Sequence, residues 1–282
     1  MQHVTTLAAQ VASLTVWLVL LAAIFLPLER LFALQPKRLR AKSLGADLVY
    51  YFLNGLAPAL VIAGPVSILT VVVQKITPLA YLNFVNAWPL WMKIFVGVLI
   101  SEVGAYWGHR FSHENRFLWR FHKVHHSPES LDWLVNTRAH PVDLIFTRLC
   151  GLAPLYLFSL PTPAGEGQLL PVIVTVVGTV WSFFVHGNLK WRFGPLEWLV
   201  ATPAFHHWHH TNDEYRDHNY AALLPAVDRL FGTHHLPKSW PQVYGVDEPV
   251  ADGLLAQLLD PLSGSATPPN RRGADARAAT ET

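Results

Sequence analysis

The chain has 282 residues, 51% of them hydrophobic and 14% charged, with a formal net charge of +2. Soluble domains carry roughly 25% charged residues, so this composition excludes an ordinary soluble enzyme and points to a protein that lives in lipid. The near-balanced charge gives no electrostatic footprint for nucleic acid. The single cysteine, Cys150, excludes a disulfide framework, an iron–sulfur cluster and a Cys-rich zinc site.

Val4 to Leu28 and Leu48 to Gln74 hold no charged residue, and each exceeds the roughly 20 apolar residues needed to cross a bilayer. The first lacks a basic leading segment and outruns the apolar core of a secretory signal, so it reads as a span. Arg30, Lys37, Arg38, Arg40 and Lys42 form a basic loop between the two, which belongs on the cytoplasmic side. A third span is predicted over Trp88 to Trp107, interrupted only by Lys93 and Glu102. Val142 to Leu160 and Gln168 to Val185 read as a membrane hairpin around Pro161, Pro163, Gly165 and Gly167. Asp143 and Arg148 in its first arm must then lie near the interface or pair with other groups. Trp107, Trp119, Trp133, Trp181, Trp191, Trp198 and Trp208 are expected as interface anchors, and the Pro-, Ala- and Arg-rich tail from Ser263 to Thr282 as disordered.

The fold class expected is therefore all-α: a multi-pass membrane protein of four to five membrane helices with a cytosolic helical cap. Three regions follow. Residues 1–87 carry the N-terminal spans and basic loop, 88–245 the histidine-rich unit, and 246–282 a C-terminal segment.

Histidine carries the chemistry. His109 and His113 read H-x-x-x-H; His122, His125 and His126 read H-x-x-H-H, and so do His206, His209 and His210. Residues three and four apart are neighbours on a helix surface, so each cluster presents its imidazoles together. One structural zinc takes four ligands, and eight imidazoles are about twice that number, which argues for two ions. Imidazole suits zinc, copper, iron and nickel. Counting spans from the basic loop puts all three clusters, and His186 after the hairpin, on the cytoplasmic side.

Further features accompany the clusters. Thr202 to His210 reads T-P-A-F-H-H-W-H-H; Asp217, Asn219 and Tyr220 precede Asp228 and the run Leu230, Phe231, Gly232 and Thr233; and Arg138, His140 and Pro141 lie between the second cluster and the hairpin. Taken jointly, from Trp88 to Thr233, this resembles the fatty acid hydroxylase and sterol desaturase superfamily of membrane histidine-rich di-iron oxygenases. The flanking residues look like its T-P-x-x-H-x-x-H-H, D-x-N-Y-G, W-D-x-L-F-G-T and R-x-H-P elements. Ala221 and Val227 stand where the pattern has glycine and tryptophan. His186 matches the first position of a further H-x-x-x-H found in some members, while Lys190 occupies its second.

The resemblance implies nine metal ligands: His109, His113, His122, His125, His126, His186, His206, His209 and His210, with no catalytic residue separate from them. It implies two iron ions, dioxygen as co-substrate, and hydroxylation or desaturation of a bilayer lipid such as a sterol or fatty acyl chain, with hydroxylation favoured. The chain has no G-x-G-x-x-G fingerprint, so a separate ferredoxin- or cytochrome-type donor with its reductase is expected. The membrane would be the inner membrane of a bacterium or the endoplasmic reticulum of a eukaryote. Glu102, seven residues before His109, is expected either to orient an imidazole or to be an interfacial charge. His140 and His207 fall outside the spacing pattern, and His3, His218, His234 and His235 read as solvated or structural.

Rival readings are weaker on the same residues. A zinc protease needs H-E-x-x-H, but Phe117 stands where the second histidine should be. A metal transporter places its ligands near the bilayer midplane, whereas these clusters lie beyond the span ends. A non-catalytic lipid- or metal-binding protein that retains the histidines is the alternative.

Overall fold

Apolar segments in lipid must satisfy every backbone group internally, which leaves the helix as the natural solution here. The computed structural model describes residues 2–35, 41–161, 169–248, 250–251 and 253–262. Among these the only β-type pairing is an isolated bridge between Thr211 and Tyr244. Most of the basic loop, the Pro163–Gly167 turn and the C-terminal tail lie outside the described residues.

In chain order the helices are α1 (Gln2–Phe32), α2 (Ala41–Ile76), α3 (Leu79–Asn86), α4 (Leu90–Glu114), α5 (Arg116–His126), α6 (Pro141–Leu157), α7 (Leu170–His186), α8 (Pro203–His209), α9 (Pro225–Phe231) and α10 (Leu254–Leu259). Three of them, α1, α2 and α4, are long and apolar enough to cross a membrane. Many of their apolar side chains, Leu20, Ile24, Ile68 and Phe95 among them, are exposed, as a lipid-facing surface requires. α6 and α7 have 17 residues each, about 26 Å at 1.5 Å per residue against a hydrocarbon core of roughly 30 Å.

The hub is the contact between α4 and α6. Gly104 and Gly108 face the backbone of α6 around Cys150: a Cβ on Gly104 would lie 2.2 Å from the Cys150 carbonyl oxygen, and one on Gly108 would lie 2.7 Å from the Cys150 Cβ. Small residues four apart let two helix backbones approach closely in a membrane. The approach brings Ser112 on α4 alongside Asp143 at the start of α6.

Polar groups of α1 and α2 reach toward the histidine region. Glu29 Oε1 accepts the backbone N–H groups of Trp133 (2.8 Å) and Asn188 (3.0 Å). Asp47 binds Arg138 through two contacts of 2.6 and 2.9 Å, and Asn54 donates to the carbonyls of Thr137 and Ala139. All of these side chains are buried. Breaking a buried pair by removing one partner costs about 3–5 kcal/mol, so the first two helices are fastened to the 132–139 segment.

Several tryptophans depart from expectation. Trp119, Trp133 and Trp208 are core residues, not interface anchors. Trp133 stacks on Phe25, and Trp119 packs against His113 and His126. Tryptophan fills both interfaces and cores, and only the surrounding fold decides which.

Gly104→Ala is expected to lower stability by about 1–3 kcal/mol, as overpacking does, because the carbonyl that the new methyl meets is backbone and cannot rotate away. Thermal unfolding of the purified protein in detergent measures it; an unchanged midpoint would show that the α4–α6 contact is looser than the geometry requires.

Candidate metal centre

The chain turns sharply between α4 and α5 at Asn115, whose side-chain oxygen caps α5 by accepting the N–H groups of Phe117 (2.9 Å) and Leu118 (3.2 Å). This folds the second histidine cluster back against the first. Thr202 caps α8 by accepting from Phe205, with Pro203 at the first helical position. The cluster that follows is thereby aimed at the same place.

The nine histidines come together as two groups. His109, His113, His122, His126 and His209 form one, and His125, His186, His206 and His210 the other; within each group the ring nitrogens lie within 4.8 Å of one another. All are buried except His109, which is partly covered. The groups cut across the sequence clusters for a geometric reason. At about 100° per residue, positions i and i+4 differ by about 40° around a helix while i+3 points about 60° to the other side. Hence His122 and His126 share one group while His125 enters the other, and His206 and His210 pair while His209 crosses over.

Hydrogen bonds fix the direction of the rings. The outer Nδ1 atoms of His109, His125, His186 and His209 face the backbone carbonyls of Tyr220 (2.8 Å), Arg138 (3.0 Å), Ser182 (2.7 Å) and His218 (2.8 Å). A carbonyl only accepts, so each Nδ1 carries the proton. His113 and His122 use Nδ1 toward carboxylates, Asp217 at 3.1 Å and Asp143 at 2.9 Å. In a neutral ring, the proton on Nδ1 leaves a lone pair on Nε2.

Those lone pairs converge. His125 and His186 Nε2 are 3.1 Å apart, and the Nε2 atoms of His186, His206 and His210 form a triangle of 3.0 to 3.2 Å. In the other group His109 and His122 Nε2 are 3.2 Å apart, and His126 meets both His113 and His122 at 3.1 Å. His209 Nε2 is buried with no partner. A ring nitrogen has one in-plane site and cannot hydrogen-bond two neighbours at once. Nitrogens about 2.0–2.1 Å from one ion and at right angles around it lie about 3.0 Å apart, so the arrangement fits a cation at the focus of each group. Burial, reinforced by neighbouring imidazoles, holds His125, His126, His206, His209 and His210 well below the ordinary histidine value. They are neutral at physiological pH, as metal ligation requires.

The flanking sequence elements build the scaffold. Asp228 accepts the N–H groups of Tyr220 (2.8 Å) and Ala221 (2.9 Å) and the Thr233 hydroxyl (2.7 Å), which fixes the Tyr220 carbonyl that orients His109. Asn219 has φ 57°, a left-handed conformation that asparagine tolerates, and its amide ties Phe205 to His235. Gly232 ends α9 at φ 75°. Ala221 occupies a backbone conformation with negative φ, so the missing glycine costs nothing, and Val227 packs with Tyr106 and Tyr220 where tryptophan is common.

Glu102 needs correcting: it touches no imidazole and is no interfacial charge. It is buried, and its carboxylate accepts Leu223 N (2.6 Å) and Leu224 N (2.9 Å), holding the entrance to α9. Seven residues put it on the right face of α4 but about 10 Å away along the axis. Spacing alone gave no signal for its replacements: Asp143 sits within an apolar arm and Asp217 on a surface turn. His140 and His207 spend both ring nitrogens inside the protein. His140 donates to Leu258 O and accepts from Val142 N. His207 donates to Gly187 O (3.0 Å) and accepts from the Tyr244 hydroxyl (2.9 Å); burial pushes it down to about 4, keeping that second nitrogen free to accept.

The fold and site define a histidine-rich membrane protein with two adjacent all-imidazole groups. Residues 94–233 match the fatty acid hydroxylase family, and the chain belongs to the fatty acid hydroxylase and sterol desaturase superfamily. It is 37% identical over 184 residues to an ornithine lipid hydroxylase of Rhizobium tropici, covering 63% of this chain and 53% of that protein. It is 35% identical over 170 residues to an alkylglycerol monooxygenase of Danio rerio (58% and 34%), and 27% identical over 191 residues to a delta(7)-sterol 5(6)-desaturase of Gibberella zeae (62% and 49%). The match thus spans about half or less of each relative's length. No solved structure matches the chain.

Two outcomes follow for the centre. Asp143→Asn keeps an oxygen opposite His122 but removes the carboxylate charge that its Nδ1 faces, and should weaken metal retention about 10- to 100-fold in competition with a chelator; unchanged retention would make Asp143 merely structural. For the metal-free protein, the buried imidazoles refuse protons that the unfolded chain accepts below about pH 6.5. Stability should therefore fall as pH drops from about 7.5 to about 5.5, and denaturant unfolding that shows greater stability at the lower pH would contradict the neutral site.

Proposed function

We propose that the chain is a membrane oxidoreductase that binds two iron ions at the nine histidines and uses dioxygen and two external electrons to hydroxylate, or desaturate, a bilayer lipid. The observation that carries this reading is the pair of converging, neutral, lone-pair-inward imidazole groups within a fatty acid hydroxylase domain. His109, His113, His122, His126 and His209 would hold one ion, and His125, His186, His206 and His210 the other. Bound iron supplies the oxygen chemistry needed to attack an unactivated carbon–hydrogen bond.

The chain's residues do the rest. Asp143, Asp217 and the four carbonyls keep the rings pointing inward. Trp119 and Tyr220, both buried against the imidazoles, exclude water from the reacting centre. Residues 88–245 act as the catalytic unit on the membrane anchor of residues 1–87, with residues 246–282 as the C-terminal segment. α6 and α7 complete a set of five membrane helices, and the centre faces the cytosol, where a ferredoxin- or cytochrome-type donor delivers electrons. The relatives act, by their names, on ornithine lipids, alkylglycerols and sterols; the substrate proposed here is likewise a membrane lipid with a polar head.

Untargeted lipid analysis of cells making the wild-type chain or His125→Ala tests it. One lipid species is expected to gain an oxygen, or lose two hydrogens, in the wild type alone, and purified wild type should carry iron. A stoichiometric zinc protein whose cells have the same lipids as the variant's, with an electron donor supplied, would overturn the enzyme in favour of a binding protein.

A further inference from the structure

The histidine-bearing region carries a second apolar surface. Along α4 the residues Trp91, Phe95, Leu99 and Val103 recur every four positions and face outward; along α7, Val172, Val176 and Val180 do the same. After α7 comes the turn Gly194–Trp198, and packed beside it is α9. Leu196, Trp198, Leu199 and Leu230 there are 46, 65, 66 and 73% exposed.

Chain neighbours of these residues link the surface to both helices. Phe231 packs on Trp107, the next position of the α4 stripe, at 5.1 Å between ring centroids. Trp181, beside Val180, donates its indole N–H to Ala201 O at 2.9 Å. The charges of the turn are arranged against water. Glu197, flanked by the exposed apolar residues, is buried and paired with Arg192 by two contacts of 3.0 Å. Arg229 lies over the Trp198 ring at 4.5 Å and bonds its carbonyl, an arrangement in which an aromatic body and a long cationic stem cover apolar surface. A water-facing turn would show the opposite pattern, with its carboxylate out and its leucines in.

We propose that Leu196, Trp198, Leu199 and Leu230 form a foot of the histidine-bearing cap that sits in the interfacial layer of the bilayer that α4 crosses, its partner being phospholipid at the junction of acyl chains and glycerol. Tryptophan concentrates at that depth, and apolar faces bury there to about 5–10 Å. The inference rests on the reading of the chain as an integral-membrane lipid oxidoreductase and adds a depth to it. His109 follows Trp107 by two residues, about 3 Å along the helix axis, so the imidazole groups stand just above the acyl boundary. A lipid would present its headgroup-proximal carbons without leaving the membrane.

The full-length protein in phosphatidylcholine nanodiscs tests this with two reagents, a phospholipid bearing a diazirine on its acyl chain and aqueous hydroxyl radicals, both read by peptide mass spectrometry. Peptides holding Leu196–Leu199 and Leu230 should take the lipid label several-fold more than the Asp213–Arg216 turn and be protected from the radicals, and Leu199→Ser with Leu230→Ser should reverse both. Radical labelling equal to that turn, with no lipid label, overturns the foot, as does protection from both reagents with cross-links to a second copy. Absence of lipid label from the α4 stripe as well would defeat the membrane reading itself.

Discussion

The interaction on which the structure depends is one the protein cannot satisfy by itself: Nε2 lone pairs of buried neutral imidazoles held about 3 Å from one another. His125 and His186 show it most directly, since each has its Nδ1 proton committed to a carbonyl and its Nε2 turned to the other. Lone pairs do not bond lone pairs, and burying polar atoms without a partner costs a few kcal/mol each. A fold that pins the rings this way from the outside is preorganised for cations, and its loops, caps and buried carboxylates can be understood as the means of pinning.

Much of that pinning comes from outside the histidine-bearing helices. The chain of contacts from Asp47 through Arg138 to the Arg138 carbonyl and His125 runs from a membrane helix to a ring nitrogen. Glu29 on α1 fixes both Trp133 and Asn188, the latter two residues beyond His186. The N-terminal helices therefore do more than anchor. They set the Arg138 backbone position from which His125 is oriented and pin the chain just beyond His186, and a buried bidentate Arg–carboxylate pair gives that linkage a specific geometry.

The repeated histidine spacing was legible because helical periodicity turns sequence intervals directly into directions. His186 was legible only through resemblance, and its partners confirm that it shares space with His125, His206 and His210. What spacing could not reveal were the groups whose role depends on tertiary contact. Asp143 looked like a charge misplaced in an apolar arm until α6 packed on α4 and set it against His122 and Ser112. Glu102, on the right face of α4, was bound to a loop 121 residues away. Tryptophan's preference for membrane boundaries suggests an interface for Trp119 and Trp133, yet close contacts make them core. In each case the missing information was which elements touch: for Asp143 it is the close approach of α4 and α6 at Gly104 and Gly108, and for Trp133 the packing of α1 and α7 on the 132–139 segment.

The two groups also differ in how they would compensate positive charge. The five-membered group has two carboxylates behind its rings, Asp143 at His122 and Asp217 at His113; the four-membered group has only the carbonyls of Arg138 and Ser182. A carboxylate behind an imidazole raises its basicity more than a neutral carbonyl does, and charged hydrogen bonds are roughly twice as strong as neutral ones. A cation in the five-membered group would therefore be held by more nitrogens and by more electron-rich ones. The i+3 and i+4 histidines of a single short motif thus lead to chemically unequal positions, and the asymmetry arises from which outer partners the tertiary fold places behind each ring.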